Sequence, residues 1–212
     1  MPRILLTGFD PFGGESTNPS WLAAQALHGR QIAGHRVVAA QLPTVFGASL
    51  AVLHGLLDKH RPALAICIGQ AGGRAAISLE RVAININDAR IADNASAQPV
   101  DTPVHAGGPA AYFSSLPVKA MMLAVRSAGV QAEVSQTAGT FVCNHVFYGL
   151  MHELATRRAL RGTRGGFVHV PWLPSQGTPG MPLEEMVRGL REALRCAVAT
   201  QTDARVGAGA DH

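Results

Sequence analysis

The stretch Val130-Gln-Ala-Glu-Val-Ser-Gln-Thr-Ala-Gly-Thr-Phe-Val-Cys-Asn-His145 determines how the chain is organised. An extended apolar segment leads into a turn of small residues at Gly139, and a helix follows that begins near Cys143. Beyond the turn, apolar side chains recur at helical spacing on one face, namely Val146, Phe147, Leu150, Met151 and Leu154. The stretch therefore predicts a strand, a turn and a helix, with Cys143 at or just before the helix N-terminus.

A cysteine in that position is a candidate nucleophile. The unpaired backbone N–H groups and the positive dipole end of a helix favour a thiolate over a thiol. The same N–H groups can hold an oxyanion. A nucleophile of this kind also needs a base, and the base needs a group that orients it. The rest of the chain must therefore supply an imidazole and a carboxylate that could join Cys143.

Composition limits the classes of function. The 212 residues are 47% hydrophobic and 15% charged, which is typical of a compact globular domain. The net charge of +4 is spread along the chain, and aromatic residues do not alternate with basic ones, so we expect no nucleic-acid partner. We expect no membrane partner either, because no segment resembles a signal peptide or a membrane span. Three cysteines without paired spacing favour a reducing, cytoplasmic compartment, and no metal signature or cofactor motif is present.

Apolar runs along the chain predict an α/β fold. The near-continuous run Leu64–Gly69 has the pattern of a central parallel strand, and the glycine loop after it lies where ligands of open α/β sheets bind. We expect one strand over 78–85 and an irregular excursion over 88–108 that serves as a lid or an oligomer contact. Residues 1–200 are expected to form a single domain and residues 201–212 a flexible tail. Further strands are expected near 3–8, 37–42, 130–135 and 165–174, and helices near 46–60 and after Pro182.

Two side chains are candidates to act with Cys143. Of the nine histidines, His169 alone falls inside an apolar strand near the predicted carboxyl edge, although a packed core histidine is an equally good explanation. Glu80 lies among apolar neighbours and needs a partner, since an unpaired buried charge is costly. Arg81 and Arg90 are nearby candidates, so a structural ion pair remains the alternative to a catalytic role.

Eight motifs occur in order along the chain. They are Gly8-Phe-Asp-Pro-Phe-Gly-Gly, Asn18-Pro-Ser-Trp, Ile68-Gly-Gln-Ala-Gly-Gly-Arg, Glu80-Arg-Val-Ala-Ile-Asn, Asp88-Ala-Arg-Ile-Ala-Asp-Asn, Gly108-Pro-Ala-Ala-Tyr-Phe, the block Ser135–His145 and Val168-His-Val-Pro. Together they make the chain resemble the pyroglutamyl-peptidase I (pyrrolidone-carboxylate peptidase) family of cysteine peptidases. The resemblance implies a single-domain three-layer α/β/α fold with a mostly parallel twisted central sheet. It also implies a cytoplasmic homotetramer that removes an N-terminal pyroglutamyl residue from peptides.

The resemblance also assigns site residues. The family's catalytic Cys, His and Glu correspond to Cys143, His169 and Glu80, and Asn18 is expected to support Gln70. Arg90 is a further candidate for oxyanion support. The pocket residues implied by the family are Phe9, Phe12, Gln70, Phe141 and Val142. An apolar pocket built from such residues suits a neutral lactam, whereas a charged N-terminus would lose its hydration there without gaining a counter-ion.

Two other classes of function remain open on the sequence alone. A nucleoside-phosphorylase-like enzyme could use a similar sheet and similar glycine loops, but it would need a phosphate site that no cluster of residues clearly supplies. A non-catalytic thiol redox sensor or binding module would keep the pocket and a reactive cysteine without turnover. Phosphate-dependent nucleoside cleavage would favour the first class, and alkylation without peptide hydrolysis would favour the second.

Overall fold

Most of the apolar runs form strands of one central sheet. A computed structural model describes residues 1–209. The strands are β1 Arg3–Phe9, β2 Gln31–Ile32, β3 His35–Leu42, β4 Leu64–Gln70, β5 Ile77–Glu80, β6 Val82–Ile84, β7 Ala111–Phe113, β8 Ala132–Ser135 and β9 Arg164–Val170. The helices are α1 Pro19–Ala26, α2 Ala48–His60, α3 Val118–Ser127, α4 Val142–Thr156 and α5 Leu183–Ala199, with one 3₁₀ turn at Arg158–Leu160.

The main sheet has seven strands in the order β2-β3-β1-β4-β9-β5-β8. Strands β3, β1, β4 and β9 run parallel, and β5 runs parallel to β8. Only β2 against β3 and β5 against β9 are antiparallel. The central strand β4 is buried along nearly its whole length, as its continuous apolar sequence predicts for a strand covered on both faces. The expectation of a mostly parallel central sheet is confirmed.

Alternating side chains of the strands feed two separate cores. Ile66 and Ile68 of β4 point into the core beneath α1, α3 and α5, whereas Cys67 points into the core beneath α2 and α4. Helices therefore cover both faces of the sheet, which confirms the single-domain three-layer α/β/α architecture. Within residues 1–209, none of the helices combines the length and the apolarity that crossing a bilayer requires.

The single strand expected over 78–85 is instead two strands in different sheets. Glu80, the last residue of β5, pairs with Phe167 and Ser135 in the main sheet. After Arg81 the chain changes direction, and β6 pairs with β7 in a separate two-stranded sheet. The sequence did not reveal the break, because the partner strand β7 lies about thirty residues further on, as the element bounds show.

Part of the C-terminal segment contacts the domain at Asp203, while the flexibility expected of residues 201–212 stays a prediction. The carboxylate of Asp203 accepts hydrogen bonds from the backbone N–H groups of Lys119 (3.2 Å) and Ala120 (2.8 Å) at the start of α3. The residue at the N-cap position, Pro117, makes no side-chain cap of its own, so Asp203 supplies the missing acceptor. The last part of the expected tail, 210–212, lies outside the described residues.

Candidate active site

Cys143 lies in the first turn of α4, and its sulfur packs against the backbone of β4. A Cβ atom placed on Gly69 would lie 2.8 Å from Cys143 Sγ and 2.9 Å from the ring of Phe167, so only glycine leaves room for the thiol. Gly69 is also the direct partner of His169 in the parallel pair β4–β9. The predicted helix start therefore brings the thiol to the strand residue that lies beside the candidate imidazole.

His169 and Glu80 form a buried pair on the same face of the sheet. His169 Nδ1 lies 2.7 Å from Glu80 Oε1, and the exposed fractions of the two residues are 4% and 0%. With Nδ1 as the donor to the carboxylate, Nε2 is the ring nitrogen left to accept a proton. The structure thus brings the predicted imidazole and carboxylate together, while their catalytic roles stay a prediction.

The ion-pair partner of Glu80 is Arg74, and the expectation of Arg81 or Arg90 was wrong. Arg74 Nη1 lies 2.7 Å from Glu80 Oε1. Arg81 follows Glu80 directly along the chain, and its Nη2 donates to the carbonyl oxygen of Ala208 at 3.2 Å. Sequence proximity misled the prediction because adjacent residues of an extended segment point in opposite directions.

The thiol of Cys143 is held in its neutral form, contrary to the expectation from the helix dipole. Burial raises the pKa of the Cys143 thiol to about 12, and the neighbouring Glu80 carboxylate adds to this rise, while the Arg74 guanidinium opposes it. Desolvation therefore outweighs the field of the helix start. The residue as a whole is nevertheless partly exposed.

An apolar cluster lies at the start of α4, and one of its members was missed by the sequence analysis. The Phe141 ring lies 6.1 Å from the ring of Phe12 and 5.5 Å from that of Phe46, which meets it edge-on. All three rings are partly exposed. Phe46 follows β3 at the carboxyl edge of the sheet, and that position was the available signal.

Two of the predicted pocket residues, Phe9 and Val142, are buried in the core. Phe9 is 2% exposed, and its ring packs 6.4 Å from that of Phe167. Val142 is fully buried in the core beneath α2 and α4. Both side chains therefore belong to the core beneath α2 and α4, and their role in a substrate pocket stays a prediction.

Asn18 makes no hydrogen bond to Gln70, contrary to the expectation that it supports this residue. Its Oδ1 caps α1 by accepting from the backbone N–H of Ser20 at 3.1 Å, and its Nδ2 donates to the carbonyl oxygen of Asp10 at 2.9 Å. One end of the amide is thus occupied by α1 and the other by the loop between β1 and α1. The partner of Gln70 is Gln176, whose Nε2 lies 3.4 Å from Gln70 Oε1.

His145 is directed away from Cys143, as its spacing predicts, and it anchors the loop that carries Phe46. Its Nδ1 lies 3.0 Å from Asn87 Oδ1, and its Nε2 accepts the backbone N–H of Gly47 at 3.0 Å. The ring is therefore neutral with its proton on Nδ1. Burial lowers the pKa of His145 to about 4, which keeps the ring neutral over the physiological range.

Arg90 lies at the surface, next to the turn that precedes Cys143. Asp88, two residues earlier, exchanges hydrogen bonds with Thr140: the Asp88 N–H donates to the Thr140 carbonyl (3.0 Å), and Thr140 Oγ1 donates to the Asp88 carbonyl (2.7 Å). The side chain of Arg90 is exposed, and its role in oxyanion support stays a prediction. Within residues 1–209, no group of three or more His, Cys, Asp or Glu side chains could hold a metal ion.

The thiol of Cys143 lies at a helix start, beside a buried imidazole–carboxylate pair on an α/β sheet. This arrangement is typical of the cysteine-type hydrolases. The pyroglutamyl peptidase family matches residues 2–200, and the chain belongs to this family of cysteine peptidases.

Curated relatives and solved structures agree with that assignment. The chain is 58% identical to the pyrrolidone-carboxylate peptidase of Cupriavidus taiwanensis, with 100% of both chains covered. It is 52% identical to the enzyme of that name from Klebsiella pneumoniae, again over 100% of both. The crystal structure of pyroglutamyl peptidase I from Bacillus amyloliquefaciens matches with a TM-score of 0.93 and 48% identity over 96% of this chain and 100% of that one. The pyrrolidone carboxyl peptidase from Thermococcus litoralis matches with a TM-score of 0.94 and 32% identity over 98% and 100%.

Proposed function

We propose that this chain is a cysteine exopeptidase that removes an N-terminal pyroglutamyl residue from peptides, with Cys143, His169 and Glu80 as its catalytic residues. The observation that carries the proposal is that the Cys143 sulfur packs against Gly69, and Gly69 is the strand partner of His169. The name of the relative that is 58% identical supports the same substrate class.

The first step forms a thioester. Because burial raises the pKa of the Cys143 thiol to about 12, we assign the transfer of the thiol proton to His169 Nε2 to the moment at which the sulfur attacks. The sulfur bonds to the pyroglutamyl carbonyl carbon, and the carbonyl electron pair moves to its oxygen. The Cys143 backbone N–H holds that oxyanion, with Arg90 as a second candidate donor. Collapse then expels the peptide amine, which takes the proton from the imidazolium.

The second step releases pyroglutamate. Water gives a proton to His169 Nε2 and adds to the thioester carbonyl, and the sulfur leaves with that proton as the neutral thiol. Throughout both steps, Glu80 holds the imidazole by Nδ1 at 2.7 Å and stabilises its cationic form. The carboxylate thus orients the base without bonding to the substrate.

The aromatic cluster explains why a lactam would be selected. The rings of Phe12, Phe46 and Phe141 can bury the compact, neutral pyroglutamyl ring, and Gln70 is a candidate partner for its polar groups. A protonated N-terminus would lose its hydration against these rings, and the site carboxylate Glu80 is already bonded to two donors. Ordinary peptides should therefore be refused.

The proposal extends to assembly and compartment. A cytoplasmic homotetramer is the state that the family resemblance implies, and the free cysteines suit a reducing compartment. The exposed apolar side chains of Phe113 (71%) and Val100 (64%) are candidates for subunit contacts. Sedimentation of the wild type and of a Phe113→Asp variant tests this part, and a monomeric wild type would contradict it.

The catalytic proposal is tested with a chromogenic pyroglutamyl anilide, and the matching prolyl anilide serves as the control substrate. The wild type should cleave only the pyroglutamyl compound. Cys143→Ser should lower kcat by about 10⁴-fold, whereas the control variant Cys196→Ser should have the kcat of the wild type. Near-normal hydrolysis by Cys143→Ser would refute the mechanism. Phosphate-dependent nucleoside cleavage, or alkylation without any turnover, would point to the other two classes.

A further inference from the structure

The guanidinium of Arg74 shares the Glu80 oxygen that holds His169. Arg74 Nη1 and His169 Nδ1 each lie 2.7 Å from Glu80 Oε1. Glu80 is fully buried, and its other oxygen, Oε2, has no hydrogen-bond partner among residues 1–209. The orientation of the carboxylate therefore depends on two donors at one oxygen, and one of them is the candidate base itself.

The guanidinium is also fixed from the opposite side. Its Nη2 donates to the carbonyl oxygen of Thr137 at 3.1 Å, and Nη1 lies 3.4 Å from Ser135 Oγ. Ser135 is the strand partner of Glu80 in the pair β5–β8. Arg74 thus links the loop after β4 and the carboxylate on β5 to the turn that leads into α4. A planar fork with several donors suits this task, and a lysine could not make all these bonds at once.

We propose that Arg74 is a positioning residue for the catalytic set: it fixes the Glu80 carboxylate where Oε1 receives the His169 N–H. The inference rests on the proposed function of that set. Without Arg74, the carboxylate would be held only by His169, which itself must stay in place for proton transfer. The angle of the imidazole towards the sulfur would then be less well defined, which lowers the rate rather than the affinity.

The charge of Arg74 has a second effect on the sulfur. The Glu80 carboxylate raises the pKa of Cys143 beyond the effect of burial, and the Arg74 guanidinium lowers it. Removal of the guanidinium leaves the carboxylate uncompensated beside the thiol, so the sulfur loses its proton less readily. A side chain with a purely structural role would not change how thiol reactivity depends on pH.

Arg81 provides a matched control. It adjoins Glu80 in the sequence and carries the same charge, but its Nη2 bonds to the carbonyl oxygen of Ala208 at 3.2 Å. Arg81→Gln therefore removes a nearby guanidinium without removing a donor to the carboxylate.

The experiment compares kcat and KM for a pyroglutamyl anilide, together with the pH dependence of Cys143 alkylation by iodoacetamide, followed by mass spectrometry. Arg74→Gln should lose about 10- to 100-fold in kcat with little change in KM. Its alkylation profile should move upward by about one pH unit or more. Arg74→Lys keeps the charge without the fork, so it should restore most of the alkylation profile but only part of kcat. Arg81→Gln should match the wild type in both.

The inference is overturned if Arg74→Gln matches Arg81→Gln in kcat and in its alkylation profile. Circular dichroism and thermal unfolding check that each variant folds. If Arg74→Gln does not fold, Arg74→Lys decides, and an unchanged kcat in that variant would refute the positioning role. A wild type that fails to cleave the anilide would refute the proposed function instead, and the alkylation profiles would still decide whether Arg74 acts on the sulfur.

Discussion

Replacement of His145 tests whether its buried, neutral ring makes the fold sensitive to acid. The imidazole is 5% exposed and accepts the Gly47 N–H, a bond that only the neutral ring can make. Burial lowers the pKa of His145 from 6.5 to about 4, so the unfolded chain binds this proton more readily than the folded one. The contribution of the neutral His145 ring to the free energy of unfolding is therefore fully present above about pH 6.5, and it is lost as the pH falls towards 4.

The size of the loss follows from the two pKa values of His145, 6.5 unfolded and about 4 folded. At about pH 4.5, the excess protonation of the unfolded chain amounts to about 2.5 kcal/mol, with 1.36 kcal/mol per pKa unit. At about pH 7.5, the same contribution is close to zero. Since a small domain has a total stability of about 5–15 kcal/mol, a single ring would account for a measurable part of acid sensitivity.

The assay is urea unfolding at about pH 7.5 and about pH 4.5 for the wild type and His145→Gln. Glutamine can accept the Gly47 N–H and donate to Asn87 Oδ1 without titrating. When the pH is lowered from about 7.5 to about 4.5, the free energy of unfolding of the wild type should fall by about 2.5 kcal/mol more than that of the variant. His35→Gln replaces a ring whose Nδ1 donates to the Ala33 carbonyl oxygen at 2.9 Å, a bond that the protonated ring also makes, so this variant should lose as much stability as the wild type does. Equal losses in wild type and His145→Gln would show that the buried ring does not govern acid stability.

Three further changes test other contacts. Gly69→Ala places a methyl 2.8 Å from Cys143 Sγ and should lower kcat for the pyroglutamyl anilide by about 10- to 100-fold, whereas Gly55→Ala, with open space around it, should leave kcat unchanged. Asp203→Ala removes the acceptor at the start of α3 and should lower the free energy of unfolding in urea by about 1 kcal/mol with kcat intact. Phe46→Ala opens the apolar pocket and should raise KM about 10-fold with a smaller effect on kcat, and an unchanged KM would remove this ring from the pocket.

Features set by local pattern were the ones that the sequence predicted well. The apolar run of β4 and the helical spacing after Cys143 depend only on neighbours within a few residues, and both elements formed close to the expected bounds. The carboxyl ends of parallel strands share one edge of a sheet, so the sequence alone could place His169 at the edge where Cys143 is expected.

Features set by distant contacts were missed. The partner of Glu80 depends on the path of the loop after β4, which brings Arg74 back over the sheet. The docking of Asp203 on α3 joins segments more than eighty residues apart. The neutral state of Cys143 has a similar origin, because desolvation comes from the packed surroundings and not from the helix that carries the thiol. Propensity and spacing hold no information on any of these.

The direction of β5 explains why the Glu80 carboxylate is buried beside the His169 imidazole. Because β5 runs antiparallel to β9, Ser78 pairs with His169, and Glu80 lies level with Phe167, two residues deeper in the sheet. Alternation then places Glu80 and His169 on one face as diagonal neighbours, within reach of a 2.7 Å hydrogen bond. A slip of one residue between these strands would turn the carboxylate to the opposite core and leave a charge there without its partners. The register of β5 against β9 is therefore the structural condition on which the imidazole–carboxylate pair, and with it the proposed chemistry, depends.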